Sequence, residues 1–315
     1  MNILDLGCGT AKVSGAVGLD VIPLPGVDVL VDLKERPYPF PANTFDAVYL
    51  NDVIEHIPDT IATMEEIHRL LRPDGRVYIR VVNWNSHYTA MDPTHVRAFT
   101  EHSFDFFGKR QGRSYYSAAR FDVLKVDKQY NARVLRWMPS QRILDFLSQY
   151  LNNILEGLHF ELRAVKETGE MAHPGDVQQN LLAALRCPAC LAEHAQDGSP
   201  DPGKLQAVEN GRWLICQDAY CGRKYPVADG LPVLTSKEGK RWQAYAVKEL
   251  PEPPEGYTCI PAEVTTGGEV IFARPPETID RILDQLQRKR SLAAFSLLTG
   301  LILGILLGRG RKRSR

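Results

Sequence analysis

The chain has 315 residues, enough for one α/β domain and one or two small modules. Its 38 basic and 38 acidic residues balance, so the overall charge gives no argument for nucleic acid or for an acidic partner. Six cysteines are too few for a disulfide scaffold of this length, and the N-terminus carries no signal-peptide pattern, which together predict a reducing, cytoplasmic environment.

Short apolar runs alternate with helical patterns over residues 1–168, which predicts a parallel sheet. The candidate strands are Asn2–Leu6, Ala16–Val21, Val27–Asp32, Phe45–Asn51, Arg76–Val82, Phe121–Asn131 and His159–Val165. Helices are predicted over Ile61–Leu71 and Pro139–Leu155. The first helix is expected to end at a turn in which Pro73 cannot continue it and Gly75 supplies the reversal.

Two glycines follow the first predicted strand, in a loop that is typical of sites for nucleotide-like cofactors. Gly7 and Gly9 have no Cβ, so the backbone there can approach a ligand closely. The second strand runs into Asp20, and a carboxylate in that position accepts hydrogen bonds from ribose hydroxyls in doubly wound sheets. The alternative is a strand–turn–helix in which Asp20 caps the helix, and the glycines alone leave both open.

Six stretches of the first half of the chain occur in a characteristic order. They are Asp5–Gly9, Asp20, Asp32–Leu33, Tyr38–Val48, Val53–Ile57 and Leu70–Val77. In this order they resemble the consecutive motifs of class I S-adenosylmethionine-dependent methyltransferases, and most closely the group that includes ubiquinone-biosynthesis-type enzymes. The resemblance implies an α/β fold with a Rossmann-like, doubly wound, mostly parallel sheet.

The same resemblance implies a cofactor role for seven residues. Around S-adenosylmethionine it puts Asp5, Gly7 and Gly9 at the methionine part, Asp20 at the ribose, Asp32 and Leu33 at the adenine, and Asn51 beside the cofactor. The family usually has a helix before the first strand that covers the cofactor, whereas this chain begins a few residues before Asp5. Either another part of the chain is expected to form the cover, or the start is truncated.

Two histidines are candidates for the chemical step. Methyl transfer from a sulfonium is an in-line displacement, so the protein mainly positions the nucleophile, and a general base is needed only when that nucleophile loses a proton. His56 follows the fourth strand directly after Glu55, and His95 lies in the stretch Asp92–Arg97 after the fifth strand. Each has a structural alternative, because His56 could orient the next helix and His95 could hold its loop by hydrogen bonds.

Four cysteines form two close pairs, which suits a tetrahedral zinc site with structural zinc. The pairs are Cys187 with Cys190 and Cys216 with Cys221. Together with the stretch Tyr225–Leu234, they resemble the small zinc-ribbon activator subunit of tRNA, ribosomal RNA and release-factor methyltransferases. The resemblance covers residues 181–236 and implies that this module contacts the methyltransferase through an exposed strand, here within one chain.

An uncharged apolar run, Leu292–Gly308, has basic residues on both sides. As a helix it would span about 26 Å, and the basic side chains can snorkel to close the gap to a bilayer thickness. Gly300, Gly304 and Gly308 recur at four-residue spacing, which predicts close helix–helix contact and self-association. We therefore predict a single-pass C-terminal anchor at the cytoplasmic face of a membrane; the alternative is a buried C-terminal helix.

These patterns divide the chain into seven segments. They are a methyltransferase domain at 1–168, a linker at 169–180, a zinc-ribbon activator-like module at 181–236, a linker and candidate β-hairpin at 237–278, an amphipathic helix at 279–291, a transmembrane helix at 292–308 and a basic tail at 309–315.

The function predicted from the sequence is a membrane-tethered methyltransferase that acts on a lipid, a quinone or a lipid-linked glycan. One alternative is a methyltransferase of tRNA or of a translation factor, although no basic, aromatic-rich face supports nucleic acid as a partner. Another alternative is a non-catalytic scaffold that recruits a separate methyltransferase through its zinc module. The intact Asp5, Gly7, Gly9 and Asp20 argue against such a scaffold.

Overall fold

Seven strands in the first 166 residues form the main sheet. The structure is a computed structural model and describes residues 1–108, 116–138, 140–166, 177–194 and 201–253. The strands are β1 (Ile3–Leu6), β2 (Ala16–Asp20), β3 (Val29–Leu30), β4 (Phe45–Asn51), β5 (Leu71–Val82), β6 (Phe121–Tyr130) and β7 (Leu155–Ala164). All seven predicted strands are confirmed, with ends that differ by a few residues.

The strand order is β3-β2-β1-β4-β5-β7-β6, in which β7 runs antiparallel to both of its neighbours and the other pairs are parallel. The register makes one face apolar, with the buried row Val17, Leu4, Val48, Val77 and Leu162. The row that points to the other face is Gly18, Asp5, Tyr49, Tyr78 and Glu161. The mixed α/β class with a mostly parallel sheet is therefore confirmed.

The first three strand connections contain no helix. Residues 7–15, 21–28 and 31–44, all of which the structure describes, are loops. Crossovers between parallel strands usually need a dozen or more residues when they carry a helix, and the first two loops are shorter than that. A doubly wound sheet has helices on both faces. This prediction is corrected for the half formed by β3, β2, β1 and β4, whose connections are loops.

The helices of the first part are α1 (Thr60–Leu70), α2 (His87–Met91), α3 (Ala132–Trp137) and α4 (Gln141–Ser148), with 3-10 turns at Ile54–His56 and Ser103–Phe107. The carboxylate of Asp59 caps α1 by accepting the Ala62 N–H at 2.9 Å, and α1 buries Met64 and Ile67. This confirms the helix predicted at Ile61–Leu71.

Two details of the predicted helices are wrong. The stretch Pro139–Leu155 is not one helix: Asn153 has a φ of 61°, outside the helical region, and β7 starts two residues later. After α1, the left-handed residue is Asp74 with a φ of 61°, not Gly75. Gly75 is needed for space instead, because a Cβ there would lie 2.9 Å from the carbonyl oxygen of Arg72.

A second sheet of four strands follows, in the order β11-β10-β9-β8. Its elements are α5 (Leu181–Ala184), α6 (Pro188–Glu193), β8 (Leu205–Val208), β9 (Trp213–Cys216), β10 (Lys224–Ala228), β11 (Leu231–Pro232) and α7 (Ser236–Arg241). Part of the stretch predicted as linker is thus helical. The Thr235 hydroxyl caps α7, and Trp242 packs edge-on against Trp213 at 5.2 Å between ring centroids.

The small sheet joins the edge of the main sheet. Val233 forms a parallel bridge with Leu30 of β3, and the N–H of Leu234 donates to the Leu30 carbonyl at 3.0 Å. The Arg186 N–H also donates to the carbonyl of Pro39 at 2.9 Å. The two sheets therefore pair within one chain, and the pairing covers an otherwise open β3 edge.

The predicted membrane anchor is corrected by the structure. Among the residues that the structure describes, no helix is long and apolar enough to cross a membrane. This finding contradicts the predicted localisation at a membrane through a single-pass C-terminal helix. The segment 292–308 with its three glycines, the amphipathic helix at 279–291 and the candidate hairpin lie outside the described residues.

The junction between the two sheets predicts a stability effect. Val233 is fully buried where the sheets meet, so Val233→Ala should lower the free energy of unfolding by about 1–3 kcal/mol through lost packing. The matched control is Val247→Ala, because Val247 is 38% exposed and should change stability by less than about 0.5 kcal/mol. Urea denaturation measures both, and equal effects would contradict a packed junction.

Candidate functional site

The glycine loop after β1 is pressed against the segment that follows β4. Gly7 has a φ of 65°, and the N–H groups of Gly7 and Cys8 donate to the Leu19 carbonyl at 2.8 and 3.1 Å. A Cβ on Gly7 would lie 2.6 Å from Cγ2 of Val53. Gly7 is therefore required both for its backbone conformation and for the close contact.

Asp20 holds the same loop from the end of β2. Its Oδ2 accepts the Gly9 N–H at 2.9 Å, and its Oδ1 accepts the N–H groups of Val21 at 2.7 Å and Ile22 at 3.1 Å. A Cβ on Gly9 would meet no atom within 4 Å, so the backbone at Gly9 borders open space. The Asp20 carboxylate thus organises the loop, and Oδ2, which accepts one N–H, keeps lone-pair capacity for a further donor.

Asp5 supplies a buried acceptor beside this loop. The residue is only 1% exposed, and its Oδ2 accepts the Val13 N–H at 2.8 Å. Its Oδ1 is buried and has no hydrogen-bond partner among the residues that the structure describes, and burial raises the pKa of the Asp5 carboxyl. An unpaired buried acceptor of this kind fits a ligand that brings an N–H or ammonium donor.

The other three predicted cofactor residues lie at the same edge of the sheet. Asp32 comes two residues after β3, where its Oδ1 accepts the Lys34 N–H at 2.9 Å. Leu33 is buried, and its carbonyl accepts the Tyr38 hydroxyl at 3.0 Å. Asn51 is the last residue of β4. The structure therefore brings all seven predicted residues to the carboxyl ends of neighbouring strands, which is where doubly wound sheets bind ligands.

The two candidate histidines meet beside the Val53 segment, with ring centroids 4.7 Å apart. The Thr94 hydroxyl donates to Oδ1 of Asp92 at 2.6 Å and lies 2.8 Å from Nδ1 of His56. That hydrogen bond lowers the pKa of Asp92, which is thus an ionised acceptor and takes the hydroxyl proton. We therefore assign the proton of neutral His56 to Nδ1, which leaves Nε2 as the basic nitrogen.

His95 is oriented in the same way. Its Nδ1 lies 3.1 Å from the Thr89 carbonyl, which can only accept, so Nδ1 carries the proton in the neutral ring. The basic nitrogen is then Nε2, which lies 3.9 Å from Oδ2 of Asp92. The N–H groups of Val96 and Arg97 donate to the Glu55 carbonyl at 2.9 and 3.2 Å, which ties the His95 loop to the turn that carries His56. Two imidazoles whose Nε2 atoms carry no proton can accept protons.

The sequence analysis assigned no role to Glu55. This residue is completely buried, although it lies in the short 3-10 turn after β4, where a glutamate is normally solvated. A carboxylate oxygen of Glu55 and a ring nitrogen from each of His56 and His95 lie within 4.8 Å of one another. Its burial depends on long-range packing, so no local pattern could have revealed it.

The four cysteines of the second sheet converge at its centre, all of them buried and reduced. The Sγ atoms of Cys190 and Cys216 are 3.5 Å apart, those of Cys187 and Cys221 are 3.7 Å apart, and all four lie within 4.8 Å of one another. Tyr225, whose role the sequence analysis did not predict, places its hydroxyl 3.1 Å from Sγ of Cys187. Four converging thiols fit a closed tetrahedral metal site.

The second sheet also supports the glycine loop from behind. Cys8 of the loop packs in a buried apolar cluster with Val27 and Leu30 on one side and Ala228 and Val233 on the other. Burial raises the pKa of the Cys8 thiol to about 12, so Cys8 is protonated and behaves as a small apolar side chain. The position of the loop therefore depends on the second sheet.

The sheet is mostly parallel and has a glycine loop and acidic residues at the carboxyl ends of its strands. This arrangement defines a Rossmann-like protein that binds a nucleotide-type cofactor. A family model described as "Methyltransferase domain" matches residues 1–162. The match covers more than half of the chain, and the chain belongs to this family. Family membership confirms the prediction of a methyltransferase that uses S-adenosylmethionine.

Curated relatives match only part of the chain. A cycloartenol-C-24-methyltransferase of Oryza sativa subsp. japonica is 31% identical over 122 residues, which cover 31% of this chain and 35% of the relative. A ubiquinone biosynthesis O-methyltransferase of Xylella fastidiosa is 29% identical over 108 residues, covering 26% of this chain and 42% of the relative. The chain thus matches less than half of the length of either relative.

Among solved structures, the chain is similar to a SAM-dependent methyltransferase from Archaeoglobus fulgidus, with 16% identity and a TM-score of 0.37. The similarity covers 51% of this chain and 85% of that one.

The different surroundings of the two glycines predict different effects on cofactor binding. Gly7→Ala should abolish binding of S-adenosylmethionine, because the new Cβ would collide with Val53 at a positive φ. Gly9→Ala is the matched control and should weaken binding less, because its Cβ meets open space and only the φ of 49° is unfavourable. Isothermal titration calorimetry measures both affinities, and equal losses would contradict the assigned pocket.

Proposed function

We propose that this chain transfers the methyl group of S-adenosylmethionine to a hydroxyl oxygen of a lipid, a quinone or a lipid-linked glycan. The seven residues at the carboxyl edge of the sheet would hold the cofactor. Its sulfonium supplies an activated methyl group, so the protein needs to position the acceptor and remove its proton.

The histidine pair is the observation that carries the proposal of a hydroxyl acceptor. His56 and His95 have Nε2 atoms that carry no proton in the neutral rings, and they lie next to the Val53 segment, which touches the glycine loop at Gly7. Burial first, and then the neighbouring His95, lower the pKa of His56, so this imidazole is neutral at pH 7 and able to take a proton. A base beside the cofactor loop suits an acceptor whose proton must leave.

The relatives support the class of acceptor. One is named for ubiquinone biosynthesis and O-methyl transfer, and the other for methylation of cycloartenol. The scaffold alternative has less support, because the strand through which a zinc-ribbon module would recruit another methyltransferase is engaged within this chain by Leu30. No described feature favours an RNA or a protein acceptor over a small molecule.

We further propose that the chain consists of a methyltransferase domain at residues 1–168 and a zinc-ribbon module at 181–236, joined by a linker. Support for zinc comes from the donor set, since four buried thiols within 4.8 Å can each ligate as thiolates. The zinc would be structural, because four cysteines leave no open coordination position.

The zinc proposal predicts one zinc ion per chain. Cys190→Ser should lose the metal and unfold the second sheet, because metal binding and folding are coupled in small metal-stabilised modules. Cys259→Ser is the matched control, because Cys259 is not one of the four converging cysteines, and it should retain zinc. Elemental analysis of protein purified without chelator measures the metal, and its absence would contradict the proposed site.

Loss of zinc should also weaken cofactor binding. The second sheet packs behind Cys8, so unfolding it by Cys190→Ser removes the support of the glycine loop. Calorimetry with S-adenosylmethionine should show weaker binding for Cys190→Ser than for Cys259→Ser. Unchanged affinity in zinc-free protein would show that the loop holds its conformation alone.

The acceptor proposal is tested with radiolabelled S-adenosylmethionine. Lipid, quinone and RNA fractions are incubated separately with the full chain, and label should enter the lipid or quinone fraction. His56→Gln should reduce the rate by about 10²–10⁴-fold if His56 is the base, while affinity for the cofactor is unchanged. For wild type, the rate should rise with pH and level off below pH 7, because the pKa of His56 is lowered.

Label in the RNA fraction alone would contradict the acceptor proposal and favour tRNA as the substrate. The matched control for His56→Gln is His159→Gln, which should keep the wild-type rate. His159 lies on β7, away from the site, and its side chain is exposed.

A further inference from the structure

The Glu55 carboxylate is buried without a hydrogen-bond donor. Glu55 is 0% exposed, and neither of its carboxylate oxygens has a hydrogen-bond partner in the part of the chain that the structure describes. An ionised carboxylate in such a place is unfavourable unless a positive charge lies close to it. A positive charge that forms next to this side chain would therefore stabilise its ionised form.

The groups that can carry that charge are the two imidazoles. A ring nitrogen of His56 and one of His95 lie within 4.8 Å of a Glu55 oxygen. The other ionisable groups that act on this cluster are Asp52 and Asp92, both acidic. Asp52 is paired with Arg80 at 2.6 Å, and Asp92 accepts the Thr94 hydroxyl. The two imidazoles are thus the groups near the Glu55 carboxylate that can gain a positive charge.

The main chain fixes this arrangement. The carbonyl of Glu55 accepts the N–H groups of Val96 and Arg97, so the loop that carries His95 is attached to the same residue that supplies the carboxylate. His56 is the next residue in the same 3-10 turn, and its ring is held by Thr94. The main chain of Glu55 and both rings are therefore placed by hydrogen bonds rather than by mutual attraction.

We propose that Glu55 is a positioning residue whose carboxylate stabilises the imidazolium formed when the histidine pair takes the hydroxyl proton of the methyl acceptor. This inference rests on the proposed function. In the step, the acceptor O–H bond breaks and its proton forms an N–H bond on imidazole Nε2. The oxygen lone pair forms the new bond to the methyl carbon, and the electrons of the carbon–sulfur bond remain on sulfur.

The protonation behaviour of the group supports this role. Burial raises the pKa of Glu55 to about 7, and the nearby His95 opposes that rise. Burial and the second imidazole lower the pKa of His56. Above pH 7 the carboxyl is ionised, so a proton that arrives on the rings from the acceptor meets an anion that balances its charge.

The test is Glu55→Gln in the full chain, which keeps the size of the side chain and removes its charge. The pKa values of the His56 and His95 rings, measured by NMR titration, should fall by about one to three units in total, because a nearby anion favours imidazolium. The matched control, Glu65→Gln on the exposed side of α1, should leave both ring pKa values unchanged. Unchanged ring pKa values in Glu55→Gln would overturn the proposal.

A reciprocal measurement keeps the proposal testable if Glu55→Gln fails to fold. In His95→Gln, the carboxyl pKa of Glu55 should rise, because a neighbouring imidazolium favours the carboxylate. An unchanged Glu55 pKa would overturn the proposal. A second metal ion per chain would also overturn the proposal if Cys190→Ser retains that ion and Glu55→Gln loses it. The Glu55 carboxylate would then be a metal ligand.

Activity separates this proposal from the proposed function. With the lipid or quinone fraction as acceptor, the pH profile of Glu55→Gln should shift to lower pH together with the ring pKa values, at unchanged affinity for S-adenosylmethionine. If no fraction is methylated while the ring pKa values still fall, the proposed function fails and the Glu55–imidazole pairing remains. If methylation proceeds with a wild-type pH profile in Glu55→Gln, the positioning role fails.

Discussion

The contact between Gly7 and Val53 is the constraint on which the site depends. No side chain fits between the loop after β1 and the segment after β4, since a Cβ on Gly7 would lie 2.6 Å from Val53. This close approach sets the proposed cofactor loop beside the turn that carries Glu55 and His56. A larger residue in either position would move the cofactor loop away from this turn. Methyl transfer depends on the alignment of the cofactor with the groups that position the acceptor.

The second sheet has a structural role in the same arrangement. Three strand connections of the main sheet lack helices, and the edge strand β3 is only two residues long. Residues 228–234 compensate by pairing with Leu30 and by packing against Cys8. The converging cysteines lie in α6 and at its N-cap, at the end of β9 and in the turn before β10, in the same part of the chain as this pairing segment. The small sheet and the cofactor loop are therefore connected through a short path of buried apolar contacts.

Many elements of this protein could be predicted from the sequence because their signals are local. The alternation of apolar and polar residues in β5 and β7 reflects a sheet with one buried face. The glycine pair and Asp20 follow strands directly, and the two cysteine pairs are close in sequence. The helix predicted over Pro139–Leu155 was too long, because α4 ends at Ser148 and Asn153 takes a left-handed φ of 61° before β7 begins.

The chemistry of the second half of the site depends on contacts between distant residues. Thr94 and His56 are 38 positions apart, and only their hydrogen bond assigns the ring proton. The burial of Glu55 arises from the packing of the β4–β5 edge and not from its neighbours in sequence. Composition and local motifs thus specify which residue types are present at the strand ends. Which of them are buried together, and hence how their protons are distributed, is determined by the folded chain because desolvation and charge pairing act through space.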